Sequence, residues 1–253
     1  MPEEINRIVC DHCSSLLFTP TKAGIVNLIK EGFCEDNKGP YSPDNPGIFL
    51  SGDVMYDNSI YFSAIAAQHS AILKENGLVP EGFALVTIHR DFNTDNPQNL
   101  TNIFTALQEV TEKYPFELFV PLHPRTAKIL GTVLPESLYS KIISNTKIKL
   151  AGPVSFFDMI ELEKNCAIVI TDSGGVQKEA YFFKKPCVIL RPETEWIELV
   201  ENGNAILAGS DPEKIAEGLR LLYGNTGLTY PELYGDGRTS EKICDVVLKG
   251  IKK

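Results

Sequence analysis

From Ala84 onward, short strand-like runs alternate with segments of helical periodicity. ALVTIH (84–89), ELFVPL (117–122), KIKL (147–150), CAIVIT (166–171), CVIL (187–190) and AILAG (205–209) are each followed by a stretch that reads as helix. Few folds accept this pattern. A run such as AIVI, with no polar alternation, must be covered on both faces, which is the condition of a strand inside a parallel sheet. Parallel neighbours need a crossover, and a helix supplies it. The helices carry their own marks. Asn96-Pro97 pairs a capping residue with a first-turn proline, and Leu100, Ile103, Phe104, Leu107 and Val110 then recur at helical spacing. PRTAKILGTVL begins a short helix, SFFDMIELEKN (155–165) is another, and RDFNTDN between the first strand and its helix reads as a polar loop.

These βαβ units make residues 79–230 a complete Rossmann-like domain. Residues 1–78 differ. A helix around 4–13, the strand SLLFTP, a helix around 21–31, the strand IFLSG (48–52) and a long helix from about 56 supply only two strands, too few for an independent sheet of normal size. The expected reading is the remnant of an N-terminal Rossmann-like domain, with residues 231–253 forming a helix that packs back on it. No internal repeat interrupts the chain.

The formal net charge of −9 argues against broad binding to nucleic acid or to an anionic membrane, while leaving room for a local positive site. No run approaches the length of a membrane span, and MPEEINRIVCDH has no signal-peptide character. Of the six cysteines, Cys10 and Cys13 stand alone as a C-x-x-C with no second pair to complete a zinc site, and Cys166 and Cys187 sit in apolar runs as small core residues. A reduced, cytoplasmic protein with no metal is expected.

Chemistry concentrates at the ends of the strand-like runs. In open α/β sheets ligands bind beyond the carboxyl ends of the strands, and Thr171-Asp172-Ser173-Gly174-Gly175 lies at such an end. Glycines allow close approach of the backbone, and a helix starting at about Val176 would aim its amides and dipole at an anion there. A pyrophosphate fits, with the Ser173 hydroxyl as a further donor. Glu179, a turn further on, can accept two hydrogen bonds from the vicinal hydroxyls of a ribose. The plainer alternative is a strand-to-helix turn capped by serine. His89-Arg90, His123-Pro124-Arg125 and Arg191-Pro192-Glu193-Thr194-Glu195-Trp196 close three other strands and bring cationic donors suited to phosphate. Phe156-Phe157 reads as core packing, with stacking on a base as the alternative.

Together these segments are a resemblance. TDSGGVQKEAYFFKKPCVILRPETEW (171–196), VTIHRDFNTDNPQNL, PLHPR, GDVMYD (52–57), YGDGRTSEKI (234–243) and MPEEINR at the start resemble, in order, the motifs of the non-hydrolysing UDP-N-acetylglucosamine 2-epimerases. The resemblance implies a glycosyltransferase-B-like α/β fold, one complete Rossmann-like parallel-sheet domain with an incomplete N-terminal one, and UDP held mainly by the C-terminal domain. It implies that Ser173, Gly174 and Gly175 hold the diphosphate and Glu179 the ribose. His89, Arg90 and His123 would lie near the nucleotide sugar, Phe157 beside the uracil, and Arg191, Thr194 and Glu195 at the substrate. Glu3, Arg7 and His89 are the catalytic candidates it implies. The implied reaction inverts C2 of the sugar without a cofactor, by elimination of UDP to a glycal and its re-addition, in cell-envelope polysaccharide biosynthesis.

Two departures bear on this. In the family a further stretch precedes Pro-Glu-Glu, with a Gly-x-Arg-Pro loop, a catalytic aspartate and a His-Val-Glu-Ala-Gly segment. This sequence has none of them, so a chain truncated at its N-terminus is expected, with a homodimer or a separately encoded N-terminal piece as partner. Trp196 stands where many members have arginine, a form associated with modified sugars such as the 2,3-diacetamido uronic acid nucleotide. The competing readings are a non-catalytic UDP-sugar-binding fragment and a glycosyltransferase of similar architecture.

Overall fold

The computed structural model describes the backbone of residues 2–251 and the side chains of residues 4–250. Two compact units emerge, residues 1–60 with 231–253, and residues 61–230.

In the first unit β1 (Leu16–Thr19) and β2 (Gly47–Leu50) pair in parallel, Leu16 opposite Gly47 and Thr19 opposite Leu50. The Lys22–Lys30 helix crosses between them, opened by Thr21, whose side chain accepts from the Gly24 amide. Two motifs distant in sequence meet here. Asp57 of GDVMYD accepts hydrogen bonds from the Thr239 amide (3.0 Å) and from the Ser240 amide (2.6 Å) and hydroxyl (2.8 Å), so it caps the Thr239–Ile251 helix from outside. Gly52 lies against the YGDG turn at φ +91°, and a Cβ there would come within 2.6 Å of the Thr239 hydroxyl and 2.9 Å of the Tyr234 carbonyl. Only glycine accepts both that dihedral and that approach.

The second unit holds β3 (Phe83–Thr87), β4 (Glu117–Pro121), β5 (Ile148–Ala151), β6 (Ile168–Thr171), β7 (Cys187–Ile189) and β8 (Ala205–Leu207) in one sheet, ordered β5-β4-β3-β6-β7-β8 and parallel throughout. Every residue of β3 and β6 is buried, as the unbroken apolar runs require. Chain order reverses direction between β3 and β6. The connections from β3 run one way through β4 to β5, and those from β6 run the other way through β7 to β8. This is the topological switch point, where the crevice of a doubly wound sheet opens.

The helices begin where local chemistry places them. Asn96 accepts from the Gln98 and Asn99 amides ahead of Pro97–Lys113, and Leu100, Ile103, Phe104, Leu107 and Val110 are its buried stripe. Ser155 and Asp158 form a reciprocal capping box at the head of Phe156–Asn165. Cys166 and Cys187 are buried in the core. Three local expectations are corrected. RDFNTDN holds a short helix, Asp91–Thr94, because the Arg90 carbonyl takes the Asn93 and Thr94 amides. The helix after Ser173 starts at Gly174, not near Val176, so Gly174 and Gly175 lie inside its first turn. Phe156 is not core: at the first position of its helix it is 55% exposed, with its ring edge-on to Phe62 at 5.3 Å. Among the described residues no helix is long and apolar enough to cross a membrane.

Candidate functional site

The switch point is organised by Asp172. Its fully buried carboxylate accepts from the His89 amide (3.1 and 3.2 Å), the Arg90 amide (3.1 Å) and Asn93 Nδ2 (3.0 Å), with His89 Nδ1 3.4 Å away. Burying a carboxylate is costly unless donors surround it, and here donors from the segment after β3 converge on the residue that follows β6. Asn93 also donates to the Leu190 carbonyl at the end of β7. Beneath them the Thr87 and Thr171 hydroxyls bond each other at 2.5 Å, and Thr171 Oγ1 accepts from the Ser173 amide at 2.9 Å. Three strand ends are thereby laced into one rim by side chains.

Beside this rim lies a cavity of about 200 Å³ lined by Thr87, Ile88, His89, Pro121, Leu122, His123, Pro153, Val154, Met159 and Val176. Its walls are the ends of β3 and β4, the loop after β5 and the first turn of Gly174–Phe182. His89 and His123 thus share one cavity. His123 also caps Pro124–Val133, its Nδ1 accepting from the Arg125 amide at 3.3 Å. The cap requires an unprotonated Nδ1, which directs any proton to Nε2. Arg125 is engaged elsewhere, held by Asp91 at 2.7 Å and Asp95 at 2.5 Å.

The Gly174–Phe182 helix opens without a side-chain cap, the Ser173 hydroxyl making no such bond. An uncapped N-terminus facing a rim has the electrostatic character of an anion site. The 191–196 segment arches over it. Arg191 and Glu195 form a two-pronged ion pair at 2.9 Å for each prong, Thr194 donates to Gln177 Oε1 at 2.6 Å, and Trp196 Nε1 donates to the Gly174 carbonyl at 2.9 Å. Lys178 Nζ sits over the indole, 4.0 Å from its centroid. Burial works to raise the Glu195 carboxyl, but the hydrogen bonds from Arg191 and the charges of Arg191 and Arg90 outweigh it and hold the group below its ordinary value. The Arg191 guanidinium therefore stands at the head of this helix, 3.9 Å from where a Cβ on Gly174 would lie.

The structure brings His89, Arg90, His123, Ser173, Gly174, Gly175, Arg191, Thr194 and Glu195 to these neighbouring strand ends. Phe157 does not line the cavity. Its ring packs with those of Phe62 (6.2 Å), Phe156 (5.8 Å) and His69 (6.1 Å). Glu179 is half-buried. Arg7 belongs to the other unit, where Asp11 (2.7 Å) and Glu31 (2.8 Å) hold its guanidinium, and the hydrogen bond to Glu31 leads in keeping it charged. The side chain of Glu3 lies outside the described residues. Sequence reasoning passed over Asp172, Asn93 and Met159. Asp172 was visible as an acid closing an apolar strand, a position at which a carboxylate needs donors. Asn93 and Met159 carried no local signal.

A family model described as UDP-N-acetylglucosamine 2-epimerase matches residues 1–248. A UDP-N-acetylglucosamine 2-epimerase homolog of Methanococcus maripaludis is 44% identical over 98% of this chain and 64% of its own length. A UDP-2,3-diacetamido-2,3-dideoxy-D-glucuronate 2-epimerase of Pseudomonas aeruginosa is 39% identical with the same coverage. Among solved structures, the UDP-GlcNAc 2-epimerase of Methanocaldococcus jannaschii in complex with UDP-GlcNAc and UDP superposes with a TM-score of 0.82 at 35% identity, covering 98% of this chain and 65% of that one. The α/β, glycosyltransferase-B-like fold class expected from the sequence is that of these structures. The chain spans 64% of the length of these two curated relatives.

Proposed function

The chain belongs to the UDP-N-acetylglucosamine 2-epimerase family, and from that premise we propose that it carries the nucleotide site of an isomerase that interconverts UDP-GlcNAc and UDP-ManNAc. One observation carries the reading most strongly: buried Asp172 ties down His89 and Arg90 immediately before the uncapped Ser173-Gly174 bend, beside a cavity of about 200 Å³. The first-turn amides at Gly174 and Gly175 and the Ser173 hydroxyl bind the diphosphate. Arg90 and Arg191 add positive charge, which stabilises the extra negative charge that UDP takes up as its bond to C1 breaks. Glu179 accepts the ribose hydroxyls. His89 and His123 line the cavity that receives the nucleotide sugar, whose apolar wall of Val154, Met159 and Val176 suits the face of a base. Thr194 holds Gln177, and Glu195 holds Arg191, at the substrate end.

The chemistry removes the C2 proton, expels UDP to leave a glycal, returns a proton to the opposite face of C2 and adds UDP back at C1. The general acid and base must be carboxylates or imidazoles within reach of C2. Glu3 and His89 are the candidates from this chain, and Arg7 is the catalytic companion of Glu3, as a fixed positive charge. Phe157 is proposed to border the uracil from its aromatic cluster. We further propose the cytoplasm as the site of action, cell-envelope polysaccharide synthesis as its use, and a homodimer or a separately encoded N-terminal piece as the partner. Residues 1–78, 79–230 and 231–253 are the functional divisions we propose.

The decisive measurement is deuterium exchange at C2 of UDP-GlcNAc, followed by NMR in heavy water, with UDP binding by calorimetry beside it. Exchange with formation of the manno epimer is the expected result. UDP binding with no exchange would leave a sugar-nucleotide-binding chain, and absence of both would overturn the proposal.

A further inference from the structure

The Phe156–Asn165 helix buries two glutamates, Glu161 and Glu163. Glu161 has a local partner, since Asn165 Nδ2 donates to its Oε2 at 3.2 Å. Glu163 has no such donor. Its side chain is 0% exposed, and neither oxygen receives a hydrogen bond from a nitrogen or hydroxyl donor among the described residues. What it faces is another acid, Glu179 on the Gly174–Phe182 helix. Two carboxyls can share a hydrogen bond only while one keeps its proton. Glu163 is fully buried with no nitrogen or hydroxyl donor to support a charge, whereas Glu179 is half-buried, so Glu163 is the member that keeps the proton. In the same direction, burial first, then the charge and hydrogen bonding of Glu179, push its carboxyl well above the ordinary range.

Other titratable groups act nearby. The Cys166 thiol, one residue past the helix, is pushed up to about 12 by burial, with Glu163 and Glu81 adding to that and Lys185 opposing it. Lys185 is in turn ion-paired with Glu81.

We propose that Glu163 is a positioning residue for the nucleotide site: as a neutral acid it donates to Glu179 and holds that carboxylate charged and oriented toward the vicinal hydroxyls of a ribose. This rests on the reading of Glu179 given under Proposed function. Glu179 is half-buried on the helix whose first turn faces the rim, and Glu163 is fully buried on the helix packed against it. A carboxylate that must accept two ribose hydroxyls gains from a donor behind it, which sets its rotamer without adding charge. Ionisation of Glu163 would instead place two negative charges in contact and turn Glu179 away.

The test is UDP affinity by calorimetry for wild type, Glu163→Gln and Glu163→Leu, from about pH 6 to about pH 9. The amide of Glu163→Gln keeps a donor that cannot ionise. Wild type and Glu163→Gln are expected to bind equally at the acid end. Wild type then weakens by about threefold or more relative to Glu163→Gln as pH rises, a ratio that cancels the titration of UDP itself. Glu163→Leu is expected to bind about tenfold more weakly throughout, as for the loss of one bond to a charged group, with no such pH trend. A flat ratio together with undiminished binding by Glu163→Leu would overturn the proposal. A wild type that binds no UDP would overturn the nucleotide reading and the ribose role with it. The carboxylic-acid C=O stretch in the infrared, present in wild type and lost in Glu163→Gln, decides separately whether the proton is there.

Discussion

The two parallel sheets obey one local grammar and reach different ends. In the 61–230 unit the central strands β3 and β6 are buried at every residue. In the other unit β1 alternates between half-buried and buried positions, and β2 is buried only at Gly47. Large apolar side chains remain open to solvent there, among them Ile5 at 64%, Val9 at 56% and Leu50 at 49%. Both sheets are built from apolar runs and a helical crossover. Six strands let each central strand be flanked on both edges and covered on both faces, which two strands cannot do. Apolar content supplies the driving force, and strand number decides whether it closes a core.

The sharpest way to break this comparison is a matched pair of truncations. Phe104→Ala, at a 0% exposed site on the Pro97–Lys113 helix, is expected to cost about 3–5 kcal/mol. Ile5→Ala, at an exposed site, should stay within about 0.5 kcal/mol. Denaturant unfolding measures both, and equal losses would show that the burial contrast has no energetic meaning. Next in size is Asp172→Ala, which strands the His89 and Arg90 amides and the Asn93 amide group. Roughly 2–4 kcal/mol of stability should go, and UDP binding with it. Retained binding would mean that the rim is not set by this carboxylate.

Titration sharpens the contrast further. Glu163 is raised in the folded state, so the native protein holds a proton that the unfolded chain releases above the ordinary glutamate value. Stability therefore falls as pH rises through that window, by at most about 1.4 kcal/mol per pH unit for one proton. Glu163→Gln should abolish this slope, and a slope unchanged in that variant would refute the assignment. Asp57, in the other unit, behaves oppositely. Burial opposes its ionisation, but the bonds from Ser240 and Thr239 prevail and hold it below its ordinary value. Its contribution is present above about pH 3.8 and is lost as pH falls through the lowered value. Asp57→Ala should remove about 1 kcal/mol, the usual worth of a helix cap, and should flatten this acid limb. A thermal-melt series across pH checks both groups.

Much of the fold was legible because its signals are local. The central strands lie where apolar runs lacked alternation, and the long helix begins at Asn96-Pro97 because Asn96 satisfies its first amides whatever surrounds it. The Glu136–Ser144 helix was not anticipated, and it has no side-chain cap to announce it. In the site, glycine spacing and terminal histidines and arginines pointed to the strand ends. Trp196 reads as an ambiguous aromatic in sequence, yet its indole bonds to the Gly174 carbonyl. Asn93, called part of a polar loop, donates to Leu190 across 97 residues of chain.

What the amino-acid order determined by itself is therefore the alphabet of elements: periodicity, caps and tight turns act over a few residues and need no partner. What only the tertiary structure decided is adjacency. Placing β3 beside β6 sets His89 against Asp172, 83 residues away, and packing one helix on another sets Glu163 against Glu179. Strand order follows from how crossovers cover both faces of a sheet at once. That is a property of the whole packed core, and no short window of sequence contains it.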